Sequence, residues 1–183
     1  NNVGNYTAQA ATSNAGTATI NSATGNTTID MSGSTSGGFK IVGSAGVNQF
    51  TGGKGDDIIT GAAGDDILVG GLGNDIITGG NDNDTITGGA GNDTFNIDAG
   101  SDIINDLGGV GAADEDDVLI VSNSATVNAT NIIGFTAKST TQNNSTNANN
   151  AVLNAKDGGG RTIDVSLATG SSKAFKIVGG DGA

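Results

Sequence analysis

GGKGDDIITGAAGDDILVGGLGNDIITGG, residues 52–80, writes glycines, an acid and an aliphatic pair, and then writes them again every nine residues. With Gly52 as position one, the blocks GGKGDDIIT, GAAGDDILV, GGLGNDIIT, GGNDNDTIT and GGAGNDTFN run without a gap to Asn96. Position six is always Asp (Asp57, Asp66, Asp75, Asp84, Asp93), and position eight is always apolar (Ile59, Leu68, Ile77, Ile86, Phe95). Weaker blocks keep the phase on either side. GSAGVNQFT from Gly43 puts Asn48 and Phe50 at those positions, and IDAGSDIIN from Ile97 puts Asp102 and Ile104 there.

The period predicts a two-sided coil. Glycine at positions one, two and four admits positive φ at little steric cost, so the first six residues read as a tight turn. The last three read as a short strand whose middle side chain, at position eight, points inward while its neighbours point out. Two blocks complete one circuit, and strands then stack in parallel about 4.8 Å apart. Asp57, Asp75 and Asp93 therefore form one column, and Asp66, Asp84 and Asp102 the other. Carboxylates at that spacing repel unless a cation intervenes. Calcium suits them, being a hard ion that takes roughly 6–8 oxygens from carboxylates and peptide carbonyls together. The expected metal ligands are these position-six aspartates with carbonyls near positions one, three and four. In the first three blocks those carbonyls belong to Gly52, Lys54, Gly55, Gly61, Ala63, Gly64, Gly70, Leu72 and Gly73. In the last two they belong to Gly79, Asn81, Gly88, Ala90 and Gly91.

Charge supports a cation as partner. The chain of 183 residues has a net charge of −12, and residues 52–117 hold fifteen acids against the single base Lys54. All of the nineteen acids but Glu115 are Asp, whereas a merely solvated acidic face would mix in glutamates. Like charge argues against nucleic acid or an anionic membrane as partner, and no apolar run approaches a membrane span. With no His or Cys, the chain has no histidine base, thiol nucleophile, disulfide or usual zinc ligand set. Adjacent pairs such as Asp56 with Asp57 point apart along a strand edge, so no enzymatic role is expected. The N-terminal residues NNVGNYTAQA lack the pattern of a signal peptide, which places any export signal outside this sequence.

These blocks resemble the glycine-rich nonapeptide GGxGxDxUx of RTX, or haemolysin-type, calcium-binding proteins. The resemblance covers residues 43–122, since DLGGVGAADEDDVLIVS looks like the acidic loop and closing strand that end such a β-roll. It implies an all-β fold, a calcium-bound parallel β-roll flanked by further short β-strand segments. Asp106, Asp114, Asp116 and Asp117 read either as a capping calcium site or as a solvated loop. Ala62 and Asp82 depart from glycine at positions two and four, and Asn48 lacks the charge that the motif expects.

A second, longer repeat lies outside the blocks. TIDMSGSTSGGFKIVGSAG from Thr28 recurs as TIDVSLATGSSKAFKIVGGDG from Thr162. The expected organisation is a Thr/Ser/Asn-rich β segment at 1–42, the roll at 43–122, a second β segment at 123–178 and the start of a further block at 179–183. That is an internal piece of a tandem array. The flanks either lengthen the roll or form a small sandwich. Together with the resemblance, this implies a calcium-binding structural repeat of a secreted bacterial cell-surface protein, of S-layer or adhesin type. The expected partners are calcium ions, neighbouring units and cell-surface polysaccharide. The alternative is the calcium-dependent secretion and folding domain of an exported enzyme or toxin.

Overall fold

The computed structural model describes residues 2–7, 18–107, 117–132, 135–136, 142–143, 151–155, 163–164 and 175–178. Every regular element among them is a strand. In chain order these are β1 (Asn2–Val3), β2 (Tyr6–Thr7), β3 (Ala18–Ser22), β4 (Thr27–Asp30), β5 (Phe39–Val42), β6 (Asn48–Thr51), β7 (Ile58–Ala63), β8 (Ile67–Leu72) and β9 (Ile76–Asn81). They continue as β10 (Thr85–Ala90), β11 (Thr94–Ile104), β12 (Val118–Ile132), β13 (Phe135–Thr136), β14 (Gln142–Asn143), β15 (Ala151–Ala155), β16 (Ile163–Asp164) and β17 (Lys176–Val178).

All pairings among the described residues are parallel, and from β1 to β11 strands pair with the next but one along the chain, except that β10 also pairs with β11. One stack runs β1, β3, β5, β7, β9, β11 and the other β2, β4, β6, β8, β10, β11. This is the β-roll expected from the nine-residue period. Ile58 lies beside Ile76, and Gln49 beside Ile67, each pair eighteen residues apart. The flank joins the same stacks. Ile20 pairs with Ile41 and Ile29 with Phe50, so residues 18–42 lengthen the roll. Strand β11 belongs to both stacks, its start beside β9 and its end beside β10, and β12 follows it along its length.

Position eight fills the space between the two stacks. Ile41, Ile59, Ile77, Phe95 and Leu119 stack in one row, and Ile29, Phe50, Leu68, Ile86, Ile104 and Ala129 in the other. All are buried, as a coil only two strands thick requires, because each inward side chain meets the opposite row. Ile58, Ile67 and Ile76, at position seven, face outward.

The strands are longer than the sequence pattern predicts. Strand β9 covers positions seven to nine and continues through Gly79, Gly80 and Asn81, positions one to three of the next block. The glycines thus take part in the ladder and are not confined to a turn. Positive φ occurs at positions two and four, for example at Gly71, Gly73, Gly80 and Gly91, but not at position one. Among the described residues two with a Cβ share that conformation, Ala62 at φ 93° and Asp82 at φ 77°.

Candidate metal centre

Each position-six aspartate turns inward at the junction of turn and strand, where it is almost completely buried. One of its oxygens is fixed by the coil before it. The Asp57 N–H donates to Asp75 Oδ1 at 2.7 Å and the Asp75 N–H to Asp93 Oδ1 at 2.8 Å. On the other side the Asp66 N–H donates to Asp84 Oδ1 at 2.9 Å and the Asp84 N–H to Asp102 Oδ1 at 2.8 Å. The predicted columns are therefore real, and each is a ladder in which one carboxylate caps the backbone of its neighbour.

The second oxygen is not used in this way. The Oδ2 atoms of Asp66, Asp75, Asp84 and Asp102 are buried and receive no hydrogen bond. Each of the first three stands against the position-one glycine of its own block. A Cβ on Gly70 would collide with Asp75 Oδ2 and with the carbonyl oxygen of Gly88, one coil on; a Cβ on Gly61 would meet Asp66 Oδ2 and the Gly79 carbonyl. Glycine at position one is thus required by space and not by φ, which corrects the sequence expectation. The result is a buried place lined by carboxylate and carbonyl oxygens with no donor aimed at it.

Burial makes these groups poor anions when the chain is alone. It raises the pKa of Asp75 to about 8, with Asp93, Asp57 and Asp56 adding repulsion. It raises Asp84 to about 7 and Asp102 to about 6, and Asp57 and Asp66 are raised as well. Donor-free oxygens in a low-dielectric place fit a hard cation, which removes both the repulsion and the unmet hydrogen-bonding demand. Among the described residues no three acidic side chains converge on one point. A cation here must take carbonyl oxygens along with carboxylates, as the turns allow.

The position-five side chains do different work. The Asn74 N–H donates to Asp56 Oδ1, and the Asn83 N–H to Asp65 Oδ1, at 2.7 and 2.9 Å on the exposed edge. This ladder runs opposite to the buried one, since here the later coil donates. Asp82, also exposed, accepts from the Gly64 N–H at 3.2 Å.

The acids beyond the last block separate. Asp106 stands at position one of the following block and accepts from the Gly88 and Gly89 N–H groups, both at 2.9 Å, ending the glycine stack. Asp117 is buried and accepts from the Asp93 N–H at 2.9 Å. It therefore occupies position six of a longer coil, with Val118, Leu119 and Ile120 as positions seven to nine. The sequence pattern carried that signal in DDVLIV, where an acid again precedes an apolar strand; the stretched spacing hid it. Asp114, Glu115, Asp116 and the block begun at 179–183 lie outside the described residues. Of the position-three carbonyls, those of Ala63 and Ala90 accept from the Gly46 and Gly73 N–H groups at 2.7 and 2.9 Å.

Residues 42–77 and 69–104 match the family model of the RTX calcium-binding nonapeptide repeat (4 copies). The chain carries that repeat, and the repeat binds calcium. No curated protein and no solved structure matches the chain at a significant level.

Proposed function

We propose that the chain is a calcium-rigidified structural unit of a secreted bacterial cell-surface array, of S-layer or adhesin type, with no catalytic role. Duplicated strand pairing carries this reading. Val3 pairs with Ser22, Tyr6 with Ile29 and Thr19 with Lys40; Ile132 pairs with Ala155, Phe135 with Ile163 and Val152 with Lys176. Both sets are parallel and follow the two similar sequence segments. A segment that makes the same pairs before and after one roll is a connector between rolls, so units of about this length stack into an array.

In this proposal calcium is held by Asp66, Asp75, Asp84, Asp93 and Asp102 with carbonyls of the neighbouring turns, notably those of position one, while Asp57, whose Oδ2 already accepts from the Gly53 N–H, ends its column. When bound it supplies positive charge between adjacent coils. The carboxylates already fixed through Oδ1 present Oδ2, and the tight turns present carbonyls, so binding needs the coil to be wound. Winding and binding are then one event. An array of this kind would pass unwound through a calcium-poor cytosol and stiffen outside, where neighbouring units and cell-surface polysaccharide are its proposed partners.

Small-angle scattering of the full chain, and of a tandem dimer of it, tests the reading. In millimolar calcium both should be rods, the dimer close to twice as long, and in chelator both should expand into flexible chains. A dimer that scatters as two independently tumbling bodies in calcium would favour the domain of an exported enzyme or toxin over an array.

A further inference from the structure

We propose that the side-chain amide of Asn48 is a built-in substitute for a cation, closing the first cage of the Asp66 column without metal. The inference rests on the calcium reading above and concerns where the ion column begins.

Asn48 stands at position six of the block GSAGVNQFT, where the five following blocks have Asp. It is completely buried. Its Nδ2 lies 2.9 Å from the Ser44 carbonyl oxygen, 2.8 Å from that of Gly46, 3.4 Å from that of Gly61 and 3.2 Å from Asp66 Oδ1. Those four oxygens come from two successive turns of one column, with carbonyls at positions two and four of one block and at position one of the block after next, one coil on. They surround a single point. A side-chain NH2 has two protons to offer, and here its positive end sits among oxygens that repel one another.

The orientation follows from the same geometry. Turning the amide over would set Oδ1 against four oxygens, so the NH2 must face the cage even though Asn48 Oδ1 is then buried without a donor. Further along, position six offers only carboxylate oxygens, and the Oδ2 atoms of Asp66 and Asp84 receive no hydrogen bond. The contrast is chemical: where position six brings a donor the cage closes on itself, and where it brings a second acceptor a charge from outside is needed. The other column begins in a comparable state. Asp57 accepts from the Phe39 N–H at 2.6 Å through Oδ1 and from the Gly53 N–H at 2.7 Å through Oδ2. Asn48 thus marks a calcium-independent edge of the roll, and the ions of its column start one coil later.

Native mass spectrometry of the full chain, titrated with calcium chloride, counts bound ions. Asn48→Asp should bind one more calcium than the wild-type chain and should need a higher calcium concentration to wind. Asn48→Ala should lose no ion, because the amide is not a ligand. An unchanged count in a folded Asn48→Asp chain overturns the substitution and leaves the calcium reading intact, and so does the loss of one ion in Asn48→Ala. That second variant decides the matter if Asn48→Asp does not fold. A wild-type chain that binds no calcium overturns both readings.

Discussion

Asp75 shows what each repeat asks of one residue. Its carboxyl has to cap the Asp57 N–H through Oδ1 and carry charge on a buried Oδ2, and burial pushes its pKa to about 8. The sign of the pH effect follows. In the unfolded chain the group titrates near 3.8, so between that value and about 8 the folded, metal-free form binds more protons. Its stability therefore falls as pH rises through this window. Asp84, raised to about 7, and Asp102, raised to about 6, act in the same direction. In chelator the chain should keep more β structure at pH 5 than at pH 8, as read by circular dichroism. With saturating calcium, where a urea midpoint can be followed, the order should reverse, because protons and the ion compete for the same oxygens. Metal-free β content that rises from pH 5 to pH 8 would show that these carboxylates are not held as described.

Two kinds of glycine are separable at the same scale. At position two the demand is φ, and Ala62, already at φ 93°, meets it under strain. Ala62→Gly should therefore stabilise the chain by about 1 kcal/mol, the left-handed penalty less the entropy cost of glycine. At position one the demand is room. Gly70→Ala drives a Cβ into the Asp75 carboxylate and the Gly88 carbonyl, so it should cost about 3 kcal/mol and lower the number of calcium ions bound. Equilibrium denaturation in calcium, with ion counting, distinguishes the two. Equal effects at both sites would mean that position one is not a close approach.

At the scale of elements, the roll was largely legible in the sequence because one period wrote both its rows. Position eight announced the core and position six the two aspartate columns, but not that each column caps the backbone of the coil before it. Strand length was not legible: Gly79 and Gly80 have low strand propensity, and only the coil stacked beside them keeps them in the ladder. The place of Asp117 was hidden for a different reason. Leu119 pairs with Phe95 across twenty-four residues where the repeats use eighteen, so the register survives in space after it has lapsed in sequence. Asp117→Ala would strip the Asp93 N–H of its Asp117 acceptor, at a cost of about 1–3 kcal/mol for a buried donor. Asp117→Asn keeps an acceptor oxygen and should cost less. If both variants unfolded at the same urea concentration as the wild-type chain, Asp117 would not be a working rung.

At the scale of the whole molecule, the flanks were visible in the sequence as two similar segments, but not as continuations of the coil. Alternating polar strands suit a sandwich as well as a roll, and only pairing decides. The pairing makes the two segments interchangeable in a testable sense. In the first, Lys40, Ile41 and Val42 lie against Ile58, Ile59 and Thr60 of the roll, and Ile29 and Asp30 against Phe50 and Thr51. The second segment repeats these docking residues: FKIV stands at 39–42 and again at 175–178, and the Ile-Asp pair at 29–30 again at 163–164. Its strands also take the same parallel partners within the segment, Leu153 beside Ile177 as Ile20 is beside Ile41. A chain in which residues 132–178 replace residues 3–42 ahead of the roll should therefore wind in calcium to the same β content and melt within a few degrees of the parent. The inner row would still be continuous, with Ile177 taking the place of Ile41 against Ile59. Circular dichroism with and without calcium checks it. A chimera that stays unwound in calcium while the parent folds would mean that the two segments share a sequence pattern but not a place in the coil, and the array built on their equivalence would fall with it.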